Sequence, residues 1–225
     1  MTNNTVKKTA LILNAAAFVC GTIGIIVRVA RNIPDFFLYY TQLSNVAAVI
    51  GSALFIAFRN TGNARLRTFV RGARYLSACG LTMTFLVVMC IFIPFGDTPA
   101  MISRLLGHVN GFLHHLVCPV ISVVSYVWFE AGVKTRKAIL IPFIATAIYS
   151  FTVYALNFLR LAEAPYPFFE VYDHPVPELI AWFFGLMALV AGIAVTVRFA
   201  NLKLSKIKEE NVRNVSIEEV RTDIS

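Results

Sequence analysis

TALILNAAAFVCGTIGIIV, residues 9–27, carries no charged side chain and as a helix is long enough to cross a bilayer. A hydrocarbon core about 30 Å thick takes roughly 20 residues at about 1.5 Å each. Further runs of the same kind follow near Phe36–Phe58, Tyr75–Phe95, Asn110–Phe129, Ala138–Leu159 and Glu178–Phe199, joined by short connections. Each is continuously apolar, whereas strands of a membrane barrel alternate and span about ten residues. The reading is an all-α polytopic membrane protein: a bundle of six transmembrane helices over residues 1–202, then a tail over 203–225. Composition agrees, because 58% hydrophobic and 14% charged residues leave too little polar surface for a water-soluble fold.

Lys7, Lys8 and the alanines at 15–17 give the first run some look of a cleaved leader, but its length and Arg28 beyond it favour a retained span. Cys20, Cys79, Cys90 and Cys118 lie inside apolar runs without CxxC spacing and read as small hydrophobes. Pro94, Pro119 and Pro142 are expected to kink their helices.

The net charge of +8 is sorted by side rather than spread. Sixteen of the 20 basic residues, including Lys7, Lys8, the Arg59–Arg74 loop, Lys134, Arg136, Lys137 and those from Arg198 onward, fall on one face; Arg28, Arg31, Arg104 and Arg160 fall on the other. The positive-inside rule makes the first face cytoplasmic, with both termini there. Basic loops of this kind meet anionic lipid headgroups rather than nucleic acid.

All the histidines, His108, His114, His115 and His174, fall toward the opposite face. The second run carries Thr41, Ser44, Asn45 and Ser52 on one helical side. Small polar residues of this sort commonly join membrane helices to one another. Thr41 and the His114–His115 pair lie at similar depths on spans that run inward from the same surface, an arrangement open to a hydroxyl nucleophile and an imidazole base. Asn45 and Asn110 are candidate oxyanion donors. Tyr166, or Arg160 nearby, is a candidate contact for a lipid headgroup or carboxylate.

YYTQLSN (residues 39–45), FLHHLVCP (112–119) and APYPFFEVY (164–172) together resemble the proline-containing six-helix membrane family of bacteria. That family is distantly similar to the androgen-induced and androgen-dependent membrane hydrolases of fatty acid esters of hydroxy fatty acids. The resemblance implies a threonine nucleophile at Thr41 and a histidine base. The bacterial spacing back from Pro119 selects His115, and the eukaryotic spacing from Asn110 to the proline selects His114; adjacent helical positions point about 100° apart.

The expectation is thus an intramembrane lipid-ester hydrolase. Thr41 and His115 or His114 would be catalytic, and Ser44, Asn45, Asn110, Arg160 and Tyr166 would contact substrate. Its partners would be membrane lipids, among them a fatty acyl ester, with no cofactor and no nucleic acid. The expected location is a bacterial plasma membrane. A transporter, or a membrane protein without catalysis, is the alternative. A metal enzyme fits less well, because His108, His114 and His115 lack the i, i+3 or i, i+4 spacing of helical ligand pairs.

Overall fold

A computed structural model describes residues 3–31, 35–96 and 98–222. Its helices are α1 (Asn3–Ala30), α2 (Tyr40–Phe58), α3 (Ala64–Phe95), a short α4 (Thr98–Leu106), α5 (Val109–Phe129), α6 (Arg136–Phe158) and α7 (Val176–Thr222). Six of them are long and apolar enough to cross a membrane, all but α4. The chain is a multi-pass membrane protein, and no strand occurs among the described residues.

The burial pattern is inverted relative to a soluble protein. Ile12, Ile26, Ile148, Phe151 and Phe184 stand exposed on the outside of the bundle, while Asn14, Asn45, Ser52, His114, Ser122, Ser125 and Asn201 are fully buried. Hydrocarbon accepts apolar side chains at no cost, so the interior is where polar groups find partners. Helix α3 is central: it packs on α2, α5, α6 and α7, and α1 lies against α2 and α5.

Several boundaries differ from the sequence reading. Helix α3 begins a few turns before Tyr75, because the Asn63 side chain accepts from the Arg65 and Leu66 amides and caps it. The supposed basic loop is therefore largely helical, and Arg74, counted there as a surface charge, is buried in the bundle. Helix α7 continues past residue 203 to Thr222. Pro142 is the third residue of the α-helical part of α6, which begins at Leu140 after a 3-10 turn over Arg136–Ile139. Before Pro94 and Pro119 the helix widens into π turns, Val88–Phe92 and Leu113–Val117. Ile93 N–H bonds the Val88 carbonyl, and Cys118 N–H bonds that of Leu113.

At the end of the bundle where the basic residues collect, a polar network ties five helices together. Arg74 contacts Glu130 at 2.8 Å, and both side chains are almost wholly buried. Arg74 Nη1 also donates to Ser52 and Ser122. Ser125 and Asn14 donate to the Glu130 carboxylate. Asn201 of α7 donates to the carbonyls of Tyr126 and Glu130, closing the end of α5. Gly132 is needed there, since a Cβ would overlap the Asn201 amide.

Candidate functional site: the cavity at the amino end of α2

Helix α2 starts without a side-chain cap of its own. Its first amides are satisfied by phenols from elsewhere: Tyr40 N–H donates to Tyr149 Oη at 3.2 Å, and Thr41 N–H to Tyr166 Oη at 3.4 Å. Tyr166 Oη also lies 3.4 Å from Thr41 Oγ1. The Thr41 carbonyl accepts from Ser44 Oγ at 3.0 Å and Asn45 Nδ2 at 2.8 Å, which fixes the backbone of this turn. Thr41 is thus held on both sides at the positive end of a helix dipole.

Tyr166 reaches this point because the segment after α6 folds inward. At Arg160 the backbone enters the left-handed region (φ 56°), and Leu161 N–H returns to the Leu156 carbonyl, ending α6. Asn157 Oδ1 then accepts from Val171 N–H, and Tyr154 Oη donates to the Phe168 carbonyl. Phe168 and Phe169 are buried in the core of the bundle. The segment is a plug, with Tyr166 at its inner edge. Burial pushes the Tyr166 phenol up from its ordinary pKa, the hydrogen bond with Thr41 working the other way, so it keeps its proton at neutral pH.

A cavity of about 400 Å³ opens beside Thr41, lined among others by Tyr166, His115, Asn110, Arg28, Arg31 and Arg104. Arg31 and Arg104 are exposed and Thr41 is buried, so the arginines border the mouth and the threonine lies deeper. Thr41 and Tyr166 also border a narrow apolar slot of about 30 Å³ that leads among Met83, Val87, Phe168 and Leu186.

The two histidines part company here. His115 Nδ1 lies 2.7 Å from the Leu105 carbonyl, one of the acceptors left open at the end of α4. A carbonyl only accepts, so Nδ1 carries the proton and Nε2 is the basic nitrogen. His114 points away, into α1: its Nε2 meets the Gly21 carbonyl at 3.2 Å, and its ring lies on Gly24. It does not line the cavity. The π turn and the missing amide of Pro119 leave the His114 carbonyl without a helical partner, and Asn45 Nδ2 donates to it at 3.3 Å.

The other sequence candidates divide as follows. Asn110 lines the cavity, and its Oδ1 faces Arg31 Nη1 at 3.5 Å. Ser44 and Asn45 lie behind Thr41, Ser44 also bonding Thr84 Oγ1, and neither lines the cavity. The amide nitrogen of Asn45 is committed to two carbonyls, which removes it as an oxyanion donor. Arg160 stacks over the Tyr172 ring, 4.7 Å from its centroid, outside the cavity. Among the described residues no three His, Cys, Asp or Glu side chains converge as metal ligands would.

No family model matches the chain, and neither a curated protein nor a solved structure does.

The Gly21–Gly24 recess has a direct consequence. Gly24→Ala would drive a methyl into the buried, hydrogen-bonded His114 ring, and is expected to cost about 1–3 kcal/mol, the usual cost of overpacking. Thermal unfolding in detergent measures it; an unchanged midpoint would mean that α1 and α5 do not meet there.

Proposed function

We propose that the protein is a lipid-ester hydrolase whose nucleophile is Thr41 and whose base is His115. One observation supports this above others: Thr41 and His115 border a single cavity, with the basic nitrogen of His115 left free of the Leu105 contact. A threonine hydroxyl needs such a base to react at neutral pH.

In the proposed reaction Thr41 Oγ1 adds to the ester carbonyl carbon while its proton passes to His115 Nε2. The bond from that carbon to the alcohol oxygen breaks, and the alcohol leaves with the proton. Water then attacks the threonyl ester, giving His115 a proton, and the acid departs as Thr41 regains its hydrogen. Negative charge on the carbonyl oxygen is met by the Tyr166 hydroxyl and the Thr41 amide. In the resting protein the Thr41 amide donates to Tyr166 Oη, so it reaches the carbonyl oxygen only as the phenol turns its hydroxyl toward the substrate.

Purified protein offered a panel of lipid esters is expected to cleave at least one, and a fluorophosphonate to label Thr41. Thr41→Ala is expected to abolish the labelling and lower turnover by at least about a thousandfold, as loss of a nucleophile does. Full turnover by this variant would remove the proposal.

A further inference from the structure

We infer that the mouth of the cavity is a receptor for a phosphate headgroup, so that the lipid bound beside Thr41 is an acylated phospholipid. This rests on the hydrolase reading only for what happens to the ester; the binding stands apart from it.

Three guanidinium groups, Arg28, Arg31 and Arg104, border one cavity that no described carboxylate lines. The ion pairs among the described residues, Arg74 with Glu130 and His174 with Glu178, lie elsewhere. Arg28 is the most telling of the three. Its Nε and Nη2 are buried without a hydrogen-bond partner among the described residues, and its guanidinium lies 4.8 Å from the centroid of the Tyr39 ring. A buried charged donor left unmatched is costly, and an anion docking against it would remove that cost. Among the described residues the Arg31 guanidinium reaches only the neutral Asn110 oxygen, at 3.5 Å.

Planar guanidinium forks suit phosphate oxygens, several forks to one group. A single carboxylate offers two oxygens and one charge. A phosphate monoester offers three terminal oxygens and up to two charges, closer to what three arginines present. Arg31 follows the last residue of α1 and Arg104 lies in the last turn of α4, so both stand at helix ends, and an acyl ester follows a lipid phosphate within a few bonds. With phosphate at the mouth, that ester hangs toward the deeper Thr41.

The test uses full-length protein in neutral detergent and a fluorescent single-chain lysophosphatidate. Competitors are the matched monoacylglycerol, the matched fatty acid and inorganic phosphate. The expected result is that lysophosphatidate binds at least about tenfold tighter than each competitor. Arg31→Gln and Arg104→Gln are each expected to weaken it about tenfold, with unfolding midpoints unchanged at these exposed positions. The lysine variants are expected to retain part of the affinity. Equal binding of the monoacylglycerol, the fatty acid or inorganic phosphate overturns the inference, as does unaltered binding by the glutamine variants. Thr41→Ala is expected to bind as wild type does. If Thr41→Ala still cleaves esters while the arginine variants lose binding, the hydrolase reading fails and the phosphate receptor stands.

Discussion

Glu130→Ala is expected to destabilise the folded protein by about 3–5 kcal/mol, the range for breaking a buried pair by removing one partner. The effect comes from what is left behind. Arg74 stays charged in an interior where it is 1% exposed, and Ser52 and Ser122 offer it only neutral oxygens. Ser125 loses its carboxylate acceptor in the same change, and Asn14 keeps only the Ala10 carbonyl and Ser125 Oγ. Total stabilities near 5–15 kcal/mol make this enough to populate unfolded chains on mild heating. Replacing both partners, Arg74→Met with Glu130→Leu, is expected to recover much of the loss, because the paired charges contribute little net once both are gone. Denaturant titration in detergent micelles compares the three proteins. If the single variant unfolds like wild type, water reaches Arg74 and the network is not sealed.

The six spans were legible because each is a local run, and apolar length needs no partner to be recognised. The network around Arg74 was not, for the converse reason. Adding up charges by loop treats an arginine near the start of a helix as a surface residue. Only the packing of α3 against α2 and α5 converts it into a buried cation with a carboxylate across from it. Asn63 was the available signal: an N-cap ahead of the Arg65–Arg74 stretch extends α3 backward and draws Arg74 into the bundle.

In the cavity the sequence supplied the residues but not their directions. Regular helical spacing separates His114 from His115 without saying which of them turns toward Thr41. The π turn at Leu113–Val117 shifts the phase of α5 over those very residues, and it arises from a proline one turn later. Arg160 looked close to the site because it lies near Tyr166 in the chain. The left-handed corner at Arg160 sends its side chain to Tyr172 instead, while Tyr166 turns inward. The arginines at the mouth were visible as the few cations on their face. Arg28 and Arg31 end α1 and Arg104 ends α4, so only the meeting of these helices gathers them into one cluster.

His115→Ala is expected to lower ester turnover by about 10²–10⁴-fold, the usual contribution of a general base, while His114→Gln changes turnover per folded molecule by no more than a few-fold. The contrast follows from the two ring environments. His115 borders the cavity and spends only Nδ1 on Leu105, whereas His114 is sealed against Gly21 and Gly24 and meets no substrate volume. Glutamine can still donate to the Gly21 carbonyl, so the second variant retains the α1–α5 contact and isolates chemistry from folding. Tyr166→Phe extends the argument: it removes one donor to the developing oxyanion, a loss of about 10²–10³-fold in turnover, and leaves the Thr41 amide in place. Because its effect falls on the transition state, kcat is expected to drop with KM little changed. Turnover measured with each variant at matched folded concentration decides the assignment. A collapse in His114→Gln with normal turnover in His115→Ala would move the base to the ring that faces α1. The α1–α5 interface would then have to open during the reaction.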